Sequence, residues 1–268
     1  MMRFILIFFL YLNLFSTEKN VKSISHFSKY LQKEQKLNIY IPNSKGPHSV
    51  LYLLHGAWGN YLNWFDKTEI ENYADQFNFI IVMPDGGEFS WYIDSPVRKN
   101  WNYESYFIKE LIPFVDSNFN TIKNKNGRAI CGLSMGGFGA LHFGAKYPQI
   151  FSSASSLSGV LNIKKYAGQK QILDTAFGSV ENKNIWNEND LFLIVENFRN
   201  QVEIKFDIGL EDKYLIDNRE FSLLLQSKKI PFSYTENLGP HDWNYWNKHI
   251  REHLDFHSNY LSNSRKTD

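Results

Sequence analysis

The sequence predicts an α/β fold in which helices cover both faces of a mainly parallel central sheet. Near-continuous apolar runs at residues 50–54, 79–83 and 128–131 each stop within two residues of a glycine or proline, as strands buried on both faces do. Longer helical patterns follow these runs, at residues 61–77, 106–119, 137–147, 191–198, 213–228 and 243–261. Such strand–helix alternation is typical of right-handed crossovers between parallel strands.

The other predicted strands are less uniform in composition. Residues 37–41 alternate in polarity, which predicts a half-buried strand near the sheet edge. Two later strands are predicted at residues 202–209 and 232–236. Lys, Asn and Gln dilute the pattern at residues 159–203, so we expect an irregular insertion there. No repeat or linker is evident, and residues 17–268 are expected to form a single domain.

The overall composition excludes several classes of protein. Hydrophobic residues make up 43% and charged residues 21% of the chain, which is typical of a folded protein and not of a disordered one. The net charge of +1 provides no field that would recruit nucleic acid. Cys131 is the only cysteine in the sequence, so no intramolecular disulfide can form. Because it lies in an apolar strand, we expect it to be a small buried side chain.

Residues 1–16 have the pattern of a signal peptide. A basic start at Arg3 precedes an apolar run at residues 4–15, which is too short to span a bilayer comfortably. No Ala-x-Ala cleavage site follows, so an uncleaved membrane anchor is the main alternative. We favour export, with no stable membrane insertion after cleavage.

Residues 132–136 read G-L-S-M-G and match the G-x-S-x-G motif, in which a sharp strand-to-helix turn exposes the serine hydroxyl. An apolar strand ends just before the motif and a small-residue helix begins after it, so the context agrees with the motif. Ser134 is therefore predicted to be a nucleophile. A structural turn with a bystander serine is the alternative, and the agreement of motif and context disfavours it.

In this arrangement the serine is followed along the chain by an acid and then by a histidine. His241 lies on a turn before the last helix and is predicted to be the general base. Asp212 follows the strand predicted at residues 202–209, and we predict that its carboxylate holds the His241 tautomer. Spacing alone leaves Glu211 and Asp207 open as alternatives.

Three further histidines, His249, His253 and His257, recur at every fourth position of the last helix. Zinc could be held by such a stripe, but no acidic or thiolate partner stands at ligand spacing within it. A partly exposed helix face is the expected explanation.

The predicted chemistry also needs two backbone N–H donors and a surface that recognises the substrate. Met135, directly after the nucleophile, and Ala57, in the glycine-rich loop after the strand at residues 50–54, are the predicted donors; Trp58 is the alternative to Ala57. Rings near strand ends can stack on a sugar or an aromatic acyl group. We therefore expect substrate contacts at Trp58, Trp91 and Tyr92, although a single ring more often serves only to pack helices against the sheet.

Several stretches together carry a resemblance: residues 53–56 with Asn60 and Trp64, 83–86 with Trp91 and Tyr92, 132–137, 156–159, 211–212, and 239–243 with Trp246. With them the sequence resembles the esterase D family, which includes S-formylglutathione hydrolases, tributyrin-type, feruloyl and acetyl-xylan esterases, and mycolyltransferases. The resemblance covers residues 35–260. It implies the α/β-hydrolase fold and ester hydrolysis through an acyl-serine without a metal or organic cofactor, and it assigns nucleophile, acid and base to Ser134, Asp212 and His241.

One departure from the family narrows the expected function. The formylglutathione enzymes typically have a cysteine-containing loop after their His-Gly, whereas residues 57–59 read A-W-G here. With the leader, this argues against an intracellular glutathione conjugate as substrate. We expect a secreted serine carboxylic-ester hydrolase that cleaves acetyl-type or feruloyl-type esters of a small molecule or a carbohydrate. The alternatives are acyl transfer to a sugar hydroxyl and a non-catalytic carbohydrate-binding scaffold, and an intact triad disfavours the scaffold.

Overall fold

The computed structural model describes residues 20–168 and 173–261, so the signal peptide predicted at residues 1–16 lies outside the described residues. Within these ranges, no helix is long and apolar enough to cross a membrane. The described strands form one eight-stranded sheet in the order β1-β2-β4-β3-β5-β6-β7-β8. The strands are β1 (Val21–Ser28), β2 (Lys33–Tyr40), β3 (Ser49–Leu54), β4 (Phe79–Pro84), β5 (Arg128–Leu133), β6 (Ser153–Leu157), β7 (Glu203–Gly209) and β8 (Ser233–Asn237).

Strand direction follows the prediction of a mainly parallel sheet. β2 pairs antiparallel with both β1 and β4, and the strands from β4 through β3, β5, β6 and β7 to β8 are all parallel. Parallel strands bring their carboxyl ends to one edge of the sheet, where ligands of α/β proteins bind. The predicted fold class, an α/β hydrolase, is confirmed.

The helices lie between successive strands from β3 onward, except the last, which follows β8. They are α1 (Asn63–Lys67), α2 (Ile70–Ala74), α3 (Tyr103–Tyr106), α4 (Ile112–Asn118), α5 (Met135–Lys146), α6 (Asp174–Phe177), α7 (Lys183–Glu188), α8 (Leu191–Ile194), α9 (Leu215–Ser227) and α10 (Trp243–Ser258). A π-helical turn, Phe107–Leu111, joins α3 to α4. The single helix predicted at residues 61–77 is instead the two short helices α1 and α2. The expected irregular insertion at residues 159–203 carries only short helices in its described part.

Hydrophobic clusters cover both faces of the sheet, and β3 contributes to both of them. Leu51 and Leu53 pack in a cluster with residues of α1, α2 and α10, whereas Tyr52 and Leu54 pack in a cluster with residues of α5 and α9. Successive side chains of a strand point to opposite faces. A strand covered on both faces therefore needs apolar residues at every position, which explains the uninterrupted apolar runs. Cys131 on β5 is buried as predicted, and burial raises the pKa of its thiol to about 12.

Two strands, β1 and β6, were absent from the sequence prediction. β1 is a half-exposed edge strand that pairs only with β2. β6 is fully buried between β5 and β7, but its sequence is S-A-S-S-L. Two of its three serines have a partner in the core: the Ser153 and Ser155 hydroxyls lie 2.8 and 2.7 Å from the two ring nitrogens of His257.

The histidine stripe of α10 faces the sheet, so the expectation of a partly exposed face is wrong. His249, His253 and His257 are all buried. His253 Nε2 lies 3.1 Å from Asp207 Oδ2 on β7, and both side chains are fully buried. In the described residues no group of three or more His, Cys, Asp or Glu side chains is arranged to hold a metal ion. Partners on β6 and β7 bind both ring nitrogens of His257 and one nitrogen of His253, whereas His249 Nδ1 lies 3.0 Å from Glu252 on the same helix.

Candidate active site

Ser134 occupies the tight turn between β5 and α5. Its backbone angles, φ 53° and ψ −117°, are unusual for a residue with a side chain. The turn leaves no room for side chains beside it, since a Cβ at Gly132 would collide with the Gly136 carbonyl and a Cβ at Gly136 would lie 2.5 Å from the His55 carbonyl oxygen. The glycines of the motif therefore permit a bend that holds the Ser134 hydroxyl at the carboxyl edge of the sheet.

A hydrogen-bonded chain connects Ser134 to two residues distant in sequence. His241 Nε2 lies 2.9 Å from Ser134 Oγ, and His241 Nδ1 lies 2.6 Å from Asp212 Oδ2. The Asp212 side chain is fully buried, whereas that of His241 is 19% exposed. The other oxygen of Asp212 accepts a hydrogen bond from the Tyr214 N–H at 2.9 Å, which fixes the carboxylate. This arrangement can move a proton from the serine to the imidazole and stabilise the imidazolium that results.

The structure also separates the candidate acids from one another. Asp212 contacts His241, as the sequence predicts. Asp207 lies on β7 and is hydrogen-bonded to His253, and Glu211 is exposed. Spacing alone could not distinguish the three carboxylates, because the distinction depends on which of them turns toward His241.

Two aromatic rings flank His241. Tyr214 and Trp246 meet it edge to face, with ring centroids 5.1 and 5.0 Å away. These contacts restrict rotation of the imidazole between Ser134 and Asp212. Sequence reasoning gave Tyr214 no role. The signal that could have found it is its position two residues after a buried aspartate, where the carboxylate can accept the backbone N–H.

The two predicted N–H donors border the same space as the nucleophile. Met135 is the first residue of α5, so no carbonyl of the helix can accept its N–H. Met135 and Ala57 both line a cavity of about 380 Å³ that contains Ser134 and His241. The Trp58 N–H, the alternative donor, is hydrogen-bonded to the Glu88 carbonyl at 3.1 Å. Among the two candidates from this loop, the geometry therefore leaves Ala57. The N-terminus of α5 also favours negative charge here.

His55 holds the loop that carries Ala57. Its Nδ1 lies 2.8 Å from the Gly56 carbonyl oxygen, and its Nε2 lies 2.8 Å from the Gly86 nitrogen on the loop after β4. Burial lowers the pKa of His55, so the ring is neutral at pH 7 and can donate at one nitrogen while it accepts at the other. The Tyr92 hydroxyl donates to the His55 carbonyl at 2.9 Å. The sequence indicated only a turn at His55, so this supporting role was missed.

The three residues predicted to contact substrate differ in position. Trp58 is 71% exposed and Trp91 is buried, and both line the catalytic cavity. Tyr92 does not line it; its ring is buried in the core and its hydroxyl is engaged with His55. The prediction of a substrate contact at Tyr92 is therefore wrong, and this residue instead supports the loop. Trp243 and Trp246 from α10 also line the cavity.

Comparisons with known proteins agree with this geometry. Residues 28–257 match the family model described as putative esterase. The chain is 29% identical over 254 residues to an acetyl esterase of Caldicellulosiruptor saccharolyticus, which covers 86% of this chain and 95% of the relative. It is 32% identical over 239 residues to an esterase of Mycobacterium tuberculosis; the match covers 76% of this chain but 52% of that relative, so the chain spans about half of its length. A solved structure of a ferulic acid esterase superposes with a TM-score of 0.79 at 27% identity, covering 90% of this chain and 98% of that one.

Proposed function

Because the chain belongs to the putative esterase family, we propose that this serine esterase cleaves short-chain acyl or aromatic esters through an acyl-serine intermediate at Ser134. The observation that carries the proposal is the hydrogen-bonded chain from Ser134 through His241 to Asp212, with Ser134 and His241 lining the cavity.

In the first half of the reaction, His241 Nε2 accepts the Ser134 proton while Oγ attacks the carbonyl carbon of the ester. The imidazolium that forms is stabilised by Asp212, 2.6 Å from Nδ1. The carbonyl oxygen becomes an oxyanion, which the N–H groups of Met135 and Ala57 stabilise, each by about 3 kcal/mol. His241 then donates its proton to the departing alcohol oxygen, the C–O bond breaks, and the acyl group remains on Ser134.

In the second half, water replaces the alcohol and the same groups act again. His241 takes a proton from water as the hydroxide attacks the acyl-serine, and it returns that proton to Ser134 Oγ as the carboxylic acid leaves. Acyl transfer to a sugar hydroxyl would use the same intermediate. Exposure of 19% at the His241 side chain leaves the base open to solvent, which favours water as the acceptor.

The size and lining of the cavity suit a small acyl group or a single aromatic ring. Its volume is about 380 Å³, and Trp91, Trp243 and Trp246 give it flat apolar walls. The names of two similar proteins, an acetyl esterase and a ferulic acid esterase, support the same two kinds of acyl group. Export, proposed from residues 1–16, favours an extracellular ester, and a carbohydrate is the alcohol that we propose.

The test is hydrolysis of p-nitrophenyl acetate together with labelling by a fluorophosphonate probe. The wild-type protein is expected to hydrolyse the ester and to be labelled at Ser134, and Ser134→Ala is expected to lose both properties. Ser227→Ala, at an exposed serine at the end of α9, is the matched control and should retain both. Full turnover by Ser134→Ala, or labelling at another serine, would contradict the proposal. Binding of saccharide without labelling would favour the non-catalytic scaffold.

A further inference from the structure

A second cavity of about 450 Å³ lies beside the catalytic one, and Trp58 and Gly59 line both. It is formed by the loops after β3 and β4, by Lys33 at the start of β2 and by the segment before α3. The mechanism proposed for Ser134 uses none of the residues that are specific to it. Its volume falls within the range of about 300–1,000 Å³ that is common for small-molecule sites.

Trp58, between the two cavities, has an unusual conformation. Its φ of 62° is disfavoured for a bulky side chain, yet the residue is 71% exposed. Two contacts hold it there: its N–H donates to the Glu88 carbonyl at 3.1 Å, and its ring packs edge to face on Phe89 with centroids 4.3 Å apart. A strained backbone that holds a large, mostly exposed aromatic residue gains little buried area from this position, and it indicates a binding role.

Two further aromatic residues of the lining, Trp101 and Tyr103, contact cations. The Trp101 and Tyr103 rings meet edge to face with centroids 6.0 Å apart, and the Arg98 guanidinium lies 3.7 Å from the Trp101 ring centroid. Lys33 Nζ donates to the Tyr103 hydroxyl at 3.1 Å. A Cβ at Gly87 would collide with that hydroxyl, so only glycine allows this close approach.

The charges around the second cavity are balanced. The residues that line it include two carboxylates, Asp85 and Glu88, and two cations, Lys33 and Arg98. A site for an anion or a cation would have an excess of the opposite sign. Balanced donors and acceptors beside flat rings suit a neutral, polyhydroxylated ring, which can stack its C–H face and use its hydroxyls as both donors and acceptors.

We propose that this second cavity is a sugar subsite, which binds a neutral saccharide ring on the alcohol side of the ester. The inference rests on the proposed esterase function of Ser134. Each cavity suits a different part of such a substrate. The tryptophan-walled catalytic cavity suits the apolar acyl group, and the polar second cavity suits the hydroxylated alcohol. Trp58, which lines both, would contact the substrate near the ester bond.

The kinetic test uses two substrates with the same acyl group, p-nitrophenyl acetate and a monoacetylated xylo-oligosaccharide. Arg98→Ala and Glu88→Gln, both at exposed side chains, are expected to lower kcat/KM for the acetylated saccharide about tenfold relative to that for p-nitrophenyl acetate, mainly through KM. Lys99→Ala removes the adjacent exposed cation, which does not line the cavity, and should leave the ratio unchanged.

A binding test separates the subsite from catalysis. Ser134→Ala protein is titrated with xylotriose, and binding is followed by saturation-transfer NMR. We expect binding that is weakened about tenfold when Arg98→Ala is added. Turnover of p-nitrophenyl acetate with no xylotriose binding and an unchanged ratio would overturn the subsite while leaving the esterase intact. No turnover by the wild type would instead overturn the proposed function. Methyl ferulate is assayed as a third substrate; if Arg98→Ala lowered kcat/KM for this ester alone, the cavity would serve the acyl group, which also contradicts the inference.

Discussion

The same two regions of the chain supply two histidine–aspartate pairs that differ in almost every other respect. Asp207 lies within β7 and Asp212 in the turn after it, while His241 lies in the turn before α10 and His253 within that helix. The outer pair, His241 and Asp212, is joined at 2.6 Å, and the inner pair, His253 and Asp207, at 3.1 Å. Both pairs therefore place a histidine ring against a carboxylate.

The two pairs differ in how accessible they are to solvent. The outer pair stands at the carboxyl edge of the sheet, where His241 is partly exposed and its second nitrogen reaches Ser134. The inner pair is sealed between β7 and α10, with both side chains fully buried. Burial lowers the pKa of His253 despite the nearby carboxylate, so its ring is neutral at pH 7. The inner pair therefore lacks the access to a nucleophile and a substrate that the catalytic role proposed for the outer pair requires.

The largest expected effect comes from an identical substitution in each pair. Asp212→Asn should lower kcat on p-nitrophenyl acetate about 10⁴-fold, because the amide no longer stabilises the imidazolium or holds its tautomer. Asp207→Asn should leave kcat per folded molecule near the wild-type value and lower the free energy of unfolding by about 2 kcal/mol, because a buried hydrogen bond to a carboxylate is weakened. Activity assays and urea denaturation of both variants measure the two quantities.

The opposite result for either variant would contradict the different roles proposed for the two pairs. If Asp207→Asn abolished turnover in a folded protein, the inner pair would be coupled to the chemistry. If Asp212→Asn retained full activity, another group would be orienting His241.

The sequence predicted the outer pair but not the inner one, for a physical reason. The outer residues follow the chain order of the triad, and each stands directly after a strand that ends at the same sheet edge. The inner pair depends on the rotation of α10 about its axis, which places His253 toward β7. Periodicity showed that His249, His253 and His257 share one face, but it could not show which way that face points.

The same limit explains the unrecognised strand β6. Hydrophobic patterning finds buried strands by their apolar side chains, and β6 buries serines. Ser153 and Ser155 are tolerated in the core only because His257 lies against them. Each of these segments therefore looks polar and exposed when read alone, and their burial follows from long-range pairing.

A second prediction uses pH to probe the buried face of α10. Burial, reinforced by the nearby Lys205 ammonium, holds the pKa of His257 well below its usual 6.5. Below pH 6.5 the unfolded chain binds a proton that the folded chain does not, so the stability present above pH 6.5 is lost as the pH falls. His257→Gln should therefore reduce the slope of unfolding free energy against pH between 6.5 and 5 by up to about 1.4 kcal/mol per pH unit. Urea denaturation at several pH values measures this slope, and identical slopes for the two proteins would contradict the burial argument.

The smallest expected effect concerns the support of His55. Like the inner pair, His55 is buried and neutral; like the outer pair, it lies at the proposed active site. Tyr92→Phe keeps the ring that packs in the core and removes only the hydroxyl that donates to the His55 carbonyl. The free energy of unfolding should fall by about 1 kcal/mol. Because the Ala57 loop would be held less firmly, kcat should fall by the same small factor for acetate and ferulate esters, with KM unchanged. A KM that rose for one ester alone would instead indicate that Tyr92 contacts the substrate. His55 would then be the buried residue that holds the Ala57 loop without help from Tyr92.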